Sequence, residues 1–270
     1  MRTLDTGGSP TAASIRAAVG VYLLATLVAS MFFLAVQPHS GIHPAALSLV
    51  QFAPAVGALV TWLLFRRTVS GSRPTAVPSR RVGLRVVAMV VVCVGFGLLI
   101  TVAAAVSGIA PVGTAAVGGV PFAVFVLLQL LGAAGEEIGW RGLLQPLLES
   151  RTTNLAAITI TGATWALWHV QAFTSDPATA CYFTLSTMSF ALVLGTLTIG
   201  TLGQRVLIAT TGHWLINIAC YLLAGDNTLH HPQLPVITLA ALLTATAVAT
   251  YPLARRRIRS HRPLAQTSRP

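Results

Sequence analysis

The sequence predicts an all-α fold, a polytopic membrane protein with about eight transmembrane helices. Two observations carry that reading. Only 9% of the 270 residues are charged and 54% are hydrophobic, against about 25% charged in an ordinary soluble domain. The apolar residues also gather into runs close to the length of about 20 that a spanning helix needs.

The runs place spans at 15–36, 44–65, 86–106, 120–148, 155–173, 183–203, 206–224 and 235–253. The first is too long for a signal-peptide core and reads as a retained span. The chain divides into an N-terminal tail (1–13), one membrane domain (14–254) and a basic C-terminal tail (255–270). Cys93, Cys181 and Cys220 are scattered, so neither a disulfide framework nor a thiolate metal site is indicated.

All 17 cations are arginine, and their placement carries topology. Arg66, Arg67, Arg73, Arg80, Arg81 and Arg85 surround the second loop, and Arg255, Arg256, Arg257, Arg259, Arg262 and Arg269 lie in the tail. Arg2, Arg16, Arg151 and Arg205 fall on the same side, whereas loops 37–43, 107–119, 174–182 and 225–234 have none. The positive-inside rule then makes both termini cytoplasmic, in a multi-pass protein of the cell membrane. Basic residues so partitioned are topology signals, and no nucleic-acid partner is expected.

Of six acidic residues, Asp5, Glu149, Asp176 and Asp226 fall at a terminus, a loop or a span end. Glu136 and Glu137 lie inside the fourth span. A charge at the bilayer centre costs about 2.5–3.5 kcal/mol on insertion scales, so such residues are candidates for function. Glu137 and Arg141 are spaced i, i+4 with the acid first, the favourable order for an ion pair. Glu136 is rotated by about 100° and is the freer carboxylate. Gly135 and Gly139 on the same run allow close helix packing.

His169 falls in the fifth run, four residues after Trp165, and His213 in the seventh, four residues before Asn217. Counted along their helices, all four candidates lie at depths of about 10–21 Å, so they can meet in one cavity. A carboxylate, two imidazoles and an amide are the parts for activating water and stabilising an oxyanion. Glu136 would be the general base, with His213 and Asn217 as oxyanion donors. His169 would hold the water, or would join His213 and Glu136 as ligands of a divalent metal such as zinc. No HExxH helix or embedded aspartate pair is present, and a Gly-x-Ser-x nucleophile with a distant histidine is not evident.

Glu136-Glu137-x-x-x-Arg141, Trp165-x-x-x-His169 and His213-x-x-x-Asn217, each on its own span in that order, resemble the CPBP intramembrane peptidases. This is the group of the type II CAAX prenyl endopeptidases and the bacterial Abi proteins. The run EEIGWRGLLQPLL is similar to the family's first motif throughout, and the resemblance covers about residues 120–225. It implies a metalloprotease-like endopeptidase with its site in a membrane cavity open to the cytoplasm. The bilayer and a membrane-bound or lipid-modified protein or peptide would be its partners. By motif position Glu136 is the water-activating glutamate, His169 and His213 the site histidines and Asn217 the oxyanion amide. Glu137, Arg141 and Trp165 support them; the family usually has phenylalanine where Trp165 stands. The other classes the polar set admits are an idle peptide-binding or immunity protein and a proton-coupled transporter.

Overall fold

A computed structural model describes residues 10–114, 117–229 and 232–260, with Asn227 and 252–260 as backbone alone. Expectations for residues 1–9, His230, His231 and residues 261–270 lie outside it. Among the described residues there is no strand, only an isolated bridge between Val117 and Val120. The elements are α1 (Ala12–Val36), α2 (Ala53–Leu64), α3 (Arg66–Gly71), α4 (Ser79–Val106), α5 (Phe122–Gly139), α6 (Gln145–Glu149), α7 (Asn154–Trp168), α8 (Pro177–Leu197), α9 (Leu202–Ala224) and α10 (Gln233–Ser260). A π-helical turn, Trp140–Leu144, fuses α5 and α6 into one rod.

Among the described residues six rods are long and apolar enough to cross a membrane: α1, α4, α5–α6, α8, α9 and α10. The other two expected spans are shorter. Leu49–Leu64, a 3₁₀ turn leading into α2, is an apolar helix below spanning length, and α7 has 15 residues. At 1.5 Å per residue neither covers the roughly 30 Å of a bilayer core alone. Helix ends follow local chemistry instead of hydropathy. The third span starts at Ser79, behind Pro78, so Arg80, Arg81 and Arg85 are helical. The sixth runs Pro177–Leu197, not 183–203, because Asp176 caps it by accepting from the Ala178 and Thr179 N–H groups. Helix α10 continues through Arg255–Arg259, so the first part of the basic tail extends the last rod.

Packing centres on the α5–α6 rod and α9. Helix α9 packs against α4 and α5, α2 against α1 and α5, and α8 against α7 and α10. Gly135 and Gly139 let α5 meet the 3₁₀ turn and α2. A Cβ on Gly135 would lie 2.8 Å from the Gln51 carbonyl oxygen, and one on Gly139 2.6 Å from that of Pro54. Any side chain there would push the second rod away. Tyr22, Met89, Phe96, Trp140, Leu144 and Leu194 are fully buried in the common core.

The rod changes character at its middle. Its N-terminal half alternates buried with exposed residues such as Leu127 and Leu131, as a lipid-facing helix does. From Gly139 to Leu147 every residue is buried. The π turn sits within this stretch: the Gln145 N–H reaches back five residues to the Trp140 carbonyl. The Arg141 carbonyl accepts instead from Nε of Arg205, at 3.0 Å. Arg205 in turn meets Glu149 at 2.9 Å, and Gln145 donates to the same carboxylate oxygen at 2.7 Å. A π turn thus locks the rod to α9 through a carbonyl that an α-helix would have used internally.

Candidate active site

Glu136 is 2% exposed. Its Oε2 accepts from the indole Nε1 of Trp165 at 2.7 Å, and its Oε1 from Nε2 of Gln51 at 3.3 Å. Trp165 belongs to α7 and Gln51 to the 3₁₀ turn before α2, so three separate segments fix one carboxylate. Each oxygen keeps a second lone pair, and the side chain borders a cavity of about 780 Å³.

Glu137 faces the other way and is fully buried. Its Oε1 is 2.8 Å from the guanidinium of Arg141 and 2.8 Å from Nδ1 of His213. The Arg141 guanidinium also lies 4.5 Å from the centre of the Trp165 ring, a cation–π contact. One carboxylate therefore holds an arginine in its own helix and a histidine in α9. The two adjacent glutamates have different surroundings, as their separation of about 100° on a helix requires.

Both histidines are oriented through Nδ1. A carboxylate accepts only, so His213 carries its Nδ1 proton toward Glu137. His169 places Nδ1 2.8 Å from the Trp165 carbonyl, again an acceptor only, and so is protonated there as well. In each ring Nε2 is left for the cavity, which both residues line. Hydropathy places His169 inside the fifth span, yet it terminates α7 with ψ near 63°. Its ring takes the Trp165 carbonyl that its own backbone N–H would bond in a continued helix, and that N–H turns to Ala166. A 3₁₀ turn, Val170–Phe173, follows.

Asn217 lies one turn beyond His213 on the same face of α9. Its Nδ2 donates to Oε1 of Gln129 at 3.1 Å, and Gln129 donates to the Ala46 carbonyl at 3.1 Å. The second Nδ2 proton remains for the cavity. Glu136, His169, His213 and Asn217 therefore share one chamber, with Trp165 in its wall and Glu137 and Arg141 behind it.

Sequence reasoning alone does not single out Gln51 or Gln129. Gln51 is the lone amide of its apolar run and Gln129 shares its run only with Gln145, and an amide there must find a partner inside the protein. That signal was available. By position in the sequence Arg205 is a loop cation and Glu149 a span-end acid; both are partners in the buried network below the site.

The donor set falls short of the metal expectation. Among the described residues no three His, Cys, Asp or Glu side chains are grouped so as to hold a metal ion. Glu136, the expected third ligand, has an N–H donor on each oxygen.

Comparison with known proteins bears on this chamber. Residues 118–219 match the family described as type II CAAX prenyl endopeptidase, Rce1-like. The match takes in all four candidate residues and follows the boundaries drawn from the motifs. Two relatives are both described as lysostaphin resistance protein A. That of Staphylococcus aureus (strain MRSA252) is 27% identical over 126 residues, covering 47% of this chain and 30% of the relative. That of Staphylococcus haemolyticus (strain JCSC1435) is 25% identical over 227 residues, covering 83% and 62%. The chain thus spans less than two thirds of either relative, and the family match centres on α5–α9.

Proposed function

We propose that the chain is an intramembrane endopeptidase that hydrolyses a peptide bond of a membrane-associated substrate with water activated by Glu136. The observation that supports it best is the shared chamber. One carboxylate held by two neutral N–H donors, two imidazoles with Nε2 available and an amide N–H line it, all within a segment matching a peptidase family. Glu136 takes a proton from water as oxygen attacks the scissile carbonyl, and Nε2 of His169 accepts the other water proton as a hydrogen bond. The developing oxyanion takes the free N–H of Asn217. His213 can add a second donor only as imidazolium, because its Nδ1 proton is already committed to Glu137. Glu136 then returns its proton to the leaving nitrogen as the C–N bond breaks. Fixed donors of this kind in a dry site usually contribute more to the rate of acyl transfer than any other single effect.

We derive no step through a metal, since the donor set stops short of three ligands. Zinc held by Glu136, His169 and His213 is the competing proposal. It is favoured by the two rings, whose Nδ1 groups are anchored as those of metal-binding histidines usually are. The test of the main reading compares membrane peptidomes of cells bearing the native chain or Glu136→Gln. Peptides that disappear with the variant, at equal protein level, are expected. Identical peptidomes would remove the peptidase assignment.

A further inference from the structure

The chamber lies toward one end of the rods, and the distribution of arginines says which end that is. Ser48, Gln171 and Thr228 line it near the surface, and all lie in or beside the loops joining α1 to α2, α7 to α8 and α9 to α10. Glu136 and His213 lie deepest along their rods. No lining residue comes from the opposite connections at 65–78, 150–153 or 198–201. Toward those connections the rod is buried without interruption from Gly139 to Leu147. Arg141 and Arg205 are 0% and 4% exposed there, in the network that ties the rod to α9. The closed end therefore points at the arginine-bearing face, and the open end at loops without arginine.

Two expectations from the sequence collide at this point. Arginine placement puts the termini in the cytoplasm, and the family resemblance puts the mouth of the site there too. In this structure the mouth lies at the opposite end of the rods from the start of α1 and the end of α10, so only one expectation can hold. The arginine signal rests on this chain's own residues, over short loops where the rule is strongest.

We propose that the site opens to the extracytoplasmic face and takes as substrate the membrane-anchored segment of an exported protein or peptide. The substrate half rests on the peptidase reading; the direction of opening does not. The side of the mouth facing lipid fits such a substrate. Met31 and Leu34 of α1 and Leu167 of α7 line the cavity and are more than half exposed. A segment anchored in the outer leaflet can enter there without leaving apolar surroundings.

Cysteine accessibility in cells tests it. In a Cys181→Ser, Cys220→Ala background, Gln171→Cys and Thr228→Cys report the mouth and Thr75→Cys the opposite face. A membrane-impermeant maleimide should label the first two in intact cells and Thr75→Cys only in inverted vesicles. Rim labelling confined to inverted vesicles would overturn the proposal. So would rim cysteines that react only after denaturation, since the mouth would then be shut. Right-side-out vesicles given fluorogenic transmembrane peptides from exported proteins separate the two ideas. Outside labelling with cleavage lost in Glu136→Gln supports both. Outside labelling without cleavage of any such peptide leaves the opening standing and overturns the substrate half; it overturns the peptidase reading too only where the peptidomes of native and Glu136→Gln cells are also identical.

Discussion

The indole Nε1 of Trp165 donates to Oε2 of Glu136 at 2.7 Å, so the aromatic wall of the site is also a clamp on its carboxylate. Phenylalanine, the family's usual residue at this motif position, could supply the wall but not the bond. Trp165→Phe should therefore leave the helices packed while loosening Glu136. A hydrogen bond to a charged group contributes about 1.5–3 kcal/mol, so kcat is expected to fall by roughly tenfold to a hundredfold with KM little changed. Trp165→Ala should lower thermal stability as well, because Arg141 loses its ring contact. Steady-state kinetics and melting in detergent measure both. A fully active Trp165→Phe enzyme would mean that the clamp is dispensable.

Glu136→Gln should abolish turnover and leave abundance and melting unchanged. The amide keeps the shape but cannot accept a proton from water. The site can also absorb the new N–H₂ group: Gln51 Oε1 has no partner, so the Gln51 amide can turn and accept where it donated. Protein level and activity are the two readouts. Activity in this variant would end the general-base assignment, and low abundance would give Glu136 a structural role.

Glu137 should behave oppositely. Its single oxygen Oε1 holds both Arg141 and His213, and neither pairs with another carboxylate among the described residues. Removing one member of a buried pair typically costs about 3–5 kcal/mol. Glu137→Gln should thus lower the melting temperature and activity together. Adding Arg141→Gln should recover part of the stability, since no unpaired guanidinium remains, but not the activity. Equal melting of Glu137→Gln and the native chain would show that the pair carries no weight.

The metal question has a direct measurement. Dialysis against a strong chelator should leave cleavage intact, and the purified protein should carry no stoichiometric zinc. Activity lost on chelation and restored by zinc would replace the water-and-glutamate scheme with zinc bound by Glu136, His169 and His213.

The membrane class, the order of the rods and the four polar residues of the chamber were legible because an apolar sequence makes each embedded charge conspicuous. The rotation of about 100° between Glu136 and Glu137 was enough to separate a cavity carboxylate from a paired one. Helix ends were less legible. Hydropathy does not record that Asp176 caps α8, or that the ring of His169 takes the carbonyl that would have continued α7. The π turn was invisible too, since the trade of an internal bond for Arg205 exists only once α9 is packed alongside. Gln51 and Gln129 were missed because an uncharged amide disturbs hydropathy little, although it must be satisfied inside the protein all the same.

Gln129 supplies the last prediction, through Asn217. The Asn217 amide can serve an oxyanion only if its orientation is fixed, and the partner that fixes it is Gln129, itself tied to the Ala46 carbonyl. Asn217→Ala removes the donor, and loss of one oxyanion donor costs about 100-fold to 1,000-fold in kcat. Gln129→Leu leaves the donor in place but frees it to rotate, so a smaller loss is expected, with KM nearly constant. If Gln129 acts through Asn217, the effects will not add. In the Asn217→Ala background, Gln129→Leu should change kcat little further, which is the signature of two residues working as one unit. Additive losses would instead mean that Gln129 serves the fold by holding the loop at Ala46. Melting temperatures of the three variants separate that case, because a purely structural role would lower stability in both backgrounds alike.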